Sequence, residues 1–202
     1  LFLGGFILAL SLERHQLHKR FALRAINVFG VQPRRVVLGF MVAAACLSMF
    51  VSNTSTALLL LPVALAVLEG CSEHNRKMLS APLLLGIAYA CSIGGVATPI
   101  GTAPNAVLLG QMLDRFPEAP EIPVGTWMIG ALPFVIVFLL CAWFVLVRIA
   151  WKLPNHSFPG LVELQAQRKT QRPLTVNQNR AALIFGSVAF AWITRQRADF
   201  GS

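Results

Sequence analysis

Hydrophobic residues run through this chain in long blocks that contain no charged residue. The three longest blocks cover residues 36–68, 78–113 and 122–147, and two shorter ones cover 1–12 and 181–194. Because a helix needs about 20 mostly apolar residues to cross the hydrocarbon of a bilayer, this pattern predicts an all-α membrane protein with several crossings. The chain begins inside one apolar block and ends soon after another, so we interpret it as a multi-span helical fragment of a longer protein.

The block at 36–68 is too long for one crossing and too short for two crossings joined by a turn. Its polar residues lie together near its centre, and they are Ser52, Asn53, Thr54, Ser55 and Thr56. We therefore predict a re-entrant helical hairpin over residues 36–69, with legs at 36–50 and 57–68 and with residues 54–56 capping the second leg. Legs of this length reach about 18–23 Å, which puts the polar tip near the middle of the bilayer. Non-helical backbone survives at that depth only inside protein or beside a watery cavity.

The next block carries its own interruption. Three glycines and two prolines fall within residues 94–104, and neither residue type suits a helix interior. We predict a discontinuous transmembrane helix over residues 79–113, helical at 79–93 and at 105–113. Residues 123–150 then form an uninterrupted span. Tryptophans lie toward the two ends of this span or directly after it, as interfacial anchors do, and they are Trp127, Trp143 and Trp151.

Basic residues give the chain a net charge of +9, but they are confined to loops. Six lie within residues 13–35 and six within 148–180, whereas the loop at 114–121 has one base against three acidic residues. The positive-inside rule is satisfied when the hairpin enters and leaves on the same, cytoplasmic side. The distribution favours a multi-pass protein of the cytoplasmic (inner) membrane, in contact with lipid, and argues against a nucleic-acid partner. Residues 14–29 are amphipathic, which predicts a helix along the cytoplasmic interface; an ordinary solvated helix fits them as well.

The two interruptions supply uncharged oxygens at matching depth, which is the sequence signal of a transporter binding site. The hydroxyl groups of Ser48 and Ser52, the amide oxygen of Asn53 and the glycine-rich backbone at 98–102 suit a sodium ion. Ser48 precedes Ser52 by one turn, so both are predicted to lie on the same helix face. The residues interpreted as supporting this site are Thr98, Thr102 and Asn105. Asn105 has an alternative interpretation as the cap of the helix that follows.

The same tip offers hydrogen-bond donors for an anion. The NH₂ group of Asn53, the hydroxyl of Thr54 and the free N–H groups at the start of the second leg suit a carboxylate. No Lys or Arg lies in the membrane blocks, so a bound cation has to help neutralise an anionic substrate. No Asp or Glu lies there either, which favours sodium over a proton as the coupling ion.

Other protein classes fit the pattern less well. An enzyme working inside the membrane needs a Ser–His pair, an Asp–Asp pair or a metal cluster at that depth. The uncharged blocks contain none, so we predict neither catalysis nor an organic cofactor. A membrane adaptor has no reason to interrupt two helices at one depth.

Two stretches of the chain resemble a known family, the divalent-anion/sodium symporters, which carry dicarboxylates and citrate. The first stretch is Ser-Met-Phe-Val-Ser-Asn-Thr at 48–54, and the second runs from Ile-Gly-Gly at 93–95 to Ile-Gly-Thr-Ala-Pro-Asn at 100–105. The resemblance covers residues 1–150 and matches only the first of the family's two inverted repeats. The sodium ligands that it implies are Ser48, Ser52, Asn53 and the main-chain oxygen of Gly101. The substrate-binding residues that it implies are Asn53 and Thr54.

The resemblance also implies a function and a division of the chain. The function is sodium-coupled symport of a small anionic substrate, a di- or tricarboxylate such as succinate, malate or citrate, by an elevator-type movement in a protein that is a homodimer at full length. A carrier of sulfate, arsenite or another anion, or an exchanger, is the alternative on the same fold. Residues 1–35 are then a scaffold helix end with the interfacial helix, 36–150 half of the transport domain, 151–180 a cytoplasmic linker, and 181–202 the start of the next scaffold span.

Overall fold

The computed structural model describes residues 30–118, 122–159, 161–162, 183–184 and 187. Within these residues the chain is helical and contains no strand, so the all-α prediction is confirmed. Five α-helices lie within the described ranges, and they are α1 (Pro33–Ser48), α2 (Asn53–Glu69), α3 (Glu73–Gly95), α4 (Ala103–Arg115) and α5 (Val124–Phe144). A π-helical turn, Val145–Ala150, continues α5. The predicted blocks at 1–12 and 14–29, and nearly all of the one at 181–194, lie outside the described residues.

Helices α1 and α2 form a helical hairpin around the turn at 49–52. Pro33 occupies the first turn of α1, where its missing N–H has no intrahelical partner to lose. Ser52 precedes α2, and its hydroxyl accepts a hydrogen bond from the Ser55 N–H at 3.2 Å. The N-cap of the second leg is therefore Ser52.

Two local predictions about the hairpin are wrong. Residues 54–56 do not precede the second leg, because α2 already begins at Asn53 and takes them into its first turn. Ser48 and Ser52 do not share a helix face, because α1 ends at Ser48 and the turn separates the two residues. Both errors come from the turn, which is shorter and earlier than the polar cluster suggested.

Helix α3 is central and packs against α1, α2 and α5. Its contact with α1 is close, because a Cβ placed on Gly94 would lie 2.4 Å from the Cα of Ala45. Gly86 faces the side chains of Val37 and Met41 in the same contact. Small residues let helix backbones approach each other in membrane proteins. Since Val37 pairs with Gly86 and Ala45 with Gly94, α1 and α3 run in the same direction.

The predicted interruption of the second block is confirmed in the backbone. α3 ends at Gly95, residues 96–102 form turns and bends, and α4 begins at Ala103. The Val96 N–H donates to the Ile93 carbonyl at 3.2 Å and the Ala97 N–H donates to the Gly94 carbonyl at 3.0 Å, so α3 closes in a tightened last turn. The helices on both sides are longer than the predicted 79–93 and 105–113.

Helix α5 runs from the level of this interruption to the end of the molecule where α1 begins. The Trp127 indole N–H donates to the Val96 carbonyl at 2.9 Å, and the Trp143 indole N–H donates to the Arg34 carbonyl at 2.9 Å. The Arg34 side chain in turn donates to the Leu153 carbonyl. Both indole N–H groups are engaged within the protein, and the role of these tryptophans as interfacial anchors stays a prediction.

Residues that follow α5 also contribute to the core. Leu153, Phe158 and Leu161 are buried against the apolar residues of α1, α2, α3 and α5. The polar linker predicted from residue 151 therefore begins with a packed segment. The division of the chain into scaffold, transport half and linker stays a prediction.

In the described part of the chain, two helical segments are long and apolar enough to cross a membrane, Glu73–Gly95 and Val124–Ala150. α1 and α2 are shorter, about 25 Å each at 1.5 Å per residue. Only residues 70–72 connect α2 to α3, so the outer ends of the hairpin lie where α3 begins and α5 ends. A hairpin that enters and leaves a bilayer on one side has this geometry; its passage through a bilayer stays a prediction.

Candidate functional site

The hairpin turn meets the interruption of the second block. We call this meeting the junction and define it as residues 48–54 together with residues 94–105. Thr98 is fully buried, and its hydroxyl donates a hydrogen bond to the main-chain carbonyl of Met49. This bond joins two segments that are 49 positions apart in the chain. The prediction that the two interruptions lie together is therefore confirmed.

Ser48 lies at the centre of the junction and is fully buried. Its hydroxyl oxygen is 2.6 Å from Asn53 Oδ1 and 2.7 Å from the carbonyl oxygen of Cys91. A hydroxyl has one proton, so it can donate to only one of these two oxygens. Two arrangements satisfy all three groups. Either the Asn53 amide turns its NH₂ toward Ser48, or a cation lies against Ser48 Oγ and Asn53 Oδ1 while the hydroxyl donates to Cys91.

Gly95 lets Asn53, Gly101 and Thr102 approach its backbone closely, and we call this place the cradle. A Cβ placed on Gly95 would lie 2.7 Å from Asn53 Oδ1 and 3.4 Å from the carbonyl oxygen of Gly101. The Cβ of Thr102 lies 3.4 Å from the same point. Two of the oxygens predicted as sodium ligands therefore approach the Gly95 backbone closely, which is possible because residue 95 has no side chain. The chemistry of this cradle fits a hard alkali cation.

Not every predicted site residue is buried in the junction. Ser52 and Thr54 are exposed at the start of α2, and the Ser52 hydroxyl is occupied with Ser55, 2.9 Å from its Oγ. Thr102 is half-buried and is the N-cap residue of α4, without a capping side-chain bond. The prediction that Asn105 caps this helix is wrong, because Asn105 lies inside α4 and its side chain points back to the interruption.

Asn105 is the one buried residue of α4. Its Nδ2 donates to the Gly95 carbonyl at 3.0 Å and to the Thr98 carbonyl at 2.8 Å. Both protons of the amide are therefore spent on backbone oxygens of the junction. Asn105 therefore lies at the junction, and its role in supporting a cation site stays a prediction.

The sequence did not predict two groups that form hydrogen bonds at the junction. Trp127 reaches the junction from α5 through its bond to Val96, and the Cys91 carbonyl accepts from Ser48. A tryptophan near a helix start predicts an interfacial position at least as strongly as a bond to a distant backbone. A carbonyl inside a helix carries no sequence signal at all.

The electrostatics of the junction come from helix ends and not from formal charges. No charged residue lies within 36–68 or 78–113. The start of α2 and the end of α3 both lie at the junction, and they carry the positive and negative ends of their helix dipoles. Donors at the start of α2 suit an anion, and acceptors at the end of α3 suit a cation, so one site can take both.

The fold and the junction define the class of this protein as a helical membrane protein whose helices are interrupted at a shared position. The sequence profile of the citrate transporter family matches residues 1–196, and the chain belongs to that family. The family resemblance predicted from residues 48–54 and 93–105 is confirmed, and the family is one of transporters and not of enzymes.

Named relatives agree with this assignment. The chain is 40% identical over 205 residues to a protein named sodium-dependent dicarboxylate transporter SdcS from Staphylococcus saprophyticus. It is 38% identical to the protein of the same name from Staphylococcus aureus strain NCTC 8325. Each match covers 97% of this chain and 39% of the relative, so the chain spans about two fifths of the length of these relatives.

Proposed function

We propose that this chain is the first half of a sodium-coupled symporter of small di- or tricarboxylates such as succinate, malate or citrate. The observation that carries the proposal is the junction itself, where uncharged oxygens and free helix-end donors meet between two interrupted helices. The names of the relatives, which are sodium-dependent dicarboxylate transporters, support the choice of ion and substrate class.

The cation is held by Ser48, Asn53 and the main-chain oxygen of Gly101. This set follows from the cradle at Gly95, which Asn53 Oδ1 and the Gly101 carbonyl both reach, and from the single proton of Ser48. Ser52 belongs to the proposed set through the family resemblance and lies at the same turn. Thr98, Thr102 and Asn105 hold the backbone around the cation and do not contact it.

The substrate carboxylate is held by Asn53 and Thr54. Thr54 is exposed in the first turn of α2, beside helix N–H groups that have no intrahelical acceptor. These groups and the positive helix end suit a carboxylate. Asn53 offers its oxygen to the cation and its NH₂ to the anion, so one side chain contacts both ligands.

The two ligands stabilise each other. At a separation of about 5 Å and an effective dielectric of about 20, a cation and a carboxylate attract with about 3 kcal/mol. The coupling is reciprocal, so sodium raises the affinity for substrate by the same factor that substrate raises the affinity for sodium. The membrane blocks contain no Lys or Arg, so no basic side chain there replaces the cation as the partner of the carboxylate.

Movement and assembly complete the proposal. α1, α2, α3 and α5 share one core with Leu153, Phe158 and Leu161. This shared core supports a half domain that moves as a unit in an elevator-type mechanism. The full-length protein is proposed to be a multi-pass homodimer in the cytoplasmic (inner) membrane, with lipid against the apolar outer face of α5. Exposed residues of that face include Phe134, Phe138 and Phe144.

The transport test uses the full-length protein in proteoliposomes. We expect an inward sodium gradient to drive uptake of labelled succinate, and a potassium gradient to leave it near background. Asn53→Ala and Thr54→Ala should each abolish this uptake, because each removes a ligand. Asn75→Ala and Thr126→Ala remove the same side chains at positions outside the junction, where neither side chain is buried, and should transport normally.

Two outcomes contradict the proposal. Succinate uptake that does not depend on sodium would contradict the coupling of the two ligands. Normal uptake by both Asn53→Ala and Thr54→Ala would contradict the proposed substrate site. A panel with malate, citrate and sulfate then decides the anion class. Sodium-dependent uptake of sulfate without uptake of any carboxylate would transfer the proposal to the alternative substrate.

Topology is tested by cysteine labelling in intact cells with a membrane-impermeant maleimide. Glu73→Cys and Asn155→Cys should stay unlabelled until the cells are opened, and Glu118→Cys should label from outside. The exposed Cys46 and Cys141 are first replaced. Cys71 is kept, because it is buried and desolvation raises the pKa of its thiol, which slows its reaction. Labelling of residues 73 and 118 from the same face would contradict the re-entrant hairpin.

A further inference from the structure

Backbone carbonyl groups around the interruption accept hydrogen bonds from two kinds of donor, backbone N–H groups and side chains. Those of residues 93 and 94 accept from the N–H groups of residues 96 and 97. Those of Gly95 and Thr98 accept from the Asn105 amide, and that of Val96 accepts from the Trp127 indole. Among the described residues no donor is bonded to the carbonyl of Gly101, which lies at the cradle.

We propose that Asn105, assisted by Trp127, is a positioning residue that decides which backbone oxygens remain for the bound cation. The inference rests on the cation site in the proposed function and extends it to ion selectivity. Neither side chain touches the cation. Asn105 acts by holding the Gly95 and Thr98 carbonyls on its own amide.

The geometry of Asn105 suits this role. The amide is buried, its NH₂ has two protons, and two carbonyls lie at 3.0 and 2.8 Å. If the amide were absent, the Gly95 carbonyl would lack this donor in buried surroundings, and a buried acceptor without a donor is unfavourable. The Thr98 carbonyl would keep the Gly101 N–H at 3.3 Å as a donor. The Gly95 carbonyl would instead be available to a cation in the adjacent cradle.

Extra carbonyl ligands change which cation fits. Selectivity among alkali cations depends on the number and field strength of the coordinating oxygens. A larger ligand set favours a larger ion, so loss of the Asn105 amide should weaken the preference for sodium over potassium. Trp127 has the same effect on a smaller scale, because it holds one carbonyl that lies one residue further from the cradle.

The test measures cation binding without transport. The thermal unfolding midpoint of the full-length protein in detergent is followed while NaCl, KCl or LiCl is titrated at constant ionic strength with a choline salt. The half-effect concentration is read for each cation. Asn105→Leu removes both donors at similar volume, Asn105→Ser is the milder second variant, and Trp127→Phe removes only the indole donor. Gln111→Leu makes the same amide-to-leucine change at an exposed position of α4 and is the matched control.

We expect the ratio of potassium to sodium half-effect concentrations to fall about tenfold in Asn105→Leu, the equivalent of one or two hydrogen bonds. The ratio should fall less in Trp127→Phe and stay unchanged in Gln111→Leu. If Asn105→Leu does not fold, the same comparison is made with Asn105→Ser and Trp127→Phe. An unchanged ratio in the folded variants overturns the inference, and so does a wild-type protein that sodium does not stabilise.

Uptake of succinate by the wild-type protein separates the two proposals. If the wild-type protein shows sodium-driven uptake but the ratio of potassium to sodium half-effect concentrations is unchanged in the variants, only the role of Asn105 is contradicted. If the ratio changes in the variants but the wild-type protein shows no uptake, the proposed symport is contradicted and the role of Asn105 is supported.

Discussion

Helices α3 and α4 come from one apolar block and lie on either side of one interruption, yet they differ in how closely they pack against the other helices. α3 packs against α1, α2 and α5, and its glycines face neighbouring helices at short range. α4 has one buried residue, Asn105, and a methyl group added at its Gly110 would meet nothing within 4 Å outside its own helix. α3 is thus held by close packing of backbones, whereas α4 is held to the junction by one amide.

The difference shows where the precision of the site comes from. Close packing of α1 on α3 fixes Ser48 against Cys91 and the cradle at Gly95. α4 carries no comparable contact, so the position of the interruption depends on individual hydrogen bonds from Thr98, Asn105 and Trp127. Substitutions on the two sides should therefore have different consequences, and four predictions test this.

The largest effect is expected from Gly94→Ala. A methyl group there would lie 2.4 Å from both the Cα and the carbonyl oxygen of Ala45, and backbone atoms cannot rotate away. We expect a loss of about 3 kcal/mol or more in the free energy of unfolding. Gly110→Ala on α4 should instead stabilise by about 0.5–1 kcal/mol, because it meets open space in a helix. Thermal unfolding of the full-length protein in detergent checks both; equal midpoints would remove the contrast between the helices.

Thr98→Val should have the next largest effect on stability. The change keeps the shape of a fully buried side chain but leaves the Met49 carbonyl without its donor. A buried acceptor that loses its partner costs about 1–3 kcal/mol. Thr126→Val, at an exposed position of α5, is the control and should change little. If the two variants unfold alike, the hairpin turn does not depend on this bond.

Gly95→Ala should separate function from stability. Its methyl group would lie 2.7 Å from Asn53 Oδ1, a side-chain atom that can turn away, so the loss of unfolding free energy should be about 1 kcal/mol. The stabilising effect of sodium on the unfolding midpoint should nevertheless disappear, because the methyl group displaces Asn53 Oδ1 from the cradle. Gly130→Ala, which meets nothing within 4 Å, is the control. A normal sodium effect in Gly95→Ala would mean that the cation lies elsewhere.

The smallest effect is expected at the start of α3, far from the junction. Glu73 and Lys77 form an ion pair of 2.9 Å, and both side chains are mostly exposed. Glu73→Gln should lower the free energy of unfolding by less than about 0.5 kcal/mol, and high salt should remove the difference. A loss comparable to that of Gly94→Ala would mean that α3 is not held mainly by its packed end.

Sequence reasoning succeeded where a local residue type decides the outcome. The glycines and prolines within 94–104 predicted the interruption between α3 and α4, and the polar run at 52–56 predicted the hairpin turn within a few residues. It failed at the cap of α2, where Ser52 took the role assigned to residues 54–56, because neighbouring Ser and Thr residues have similar capping preferences. It also missed the bond from Trp127 to Val96, which spans 31 positions and has no local signature.

By itself the sequence determined that this chain is helical, belongs in a membrane and interrupts two of its apolar blocks, because absence of charge and the backbone limits of glycine and proline act locally. Only the tertiary structure decided which oxygens are free at the junction. That outcome depends on how closely Gly94 lets α1 approach α3 and on where the Asn105 and Trp127 donors arrive. Hydrogen bonds between distant segments exist only after the helices have packed, so the oxygens left for a cation are a property of the packed helices and not of any one segment.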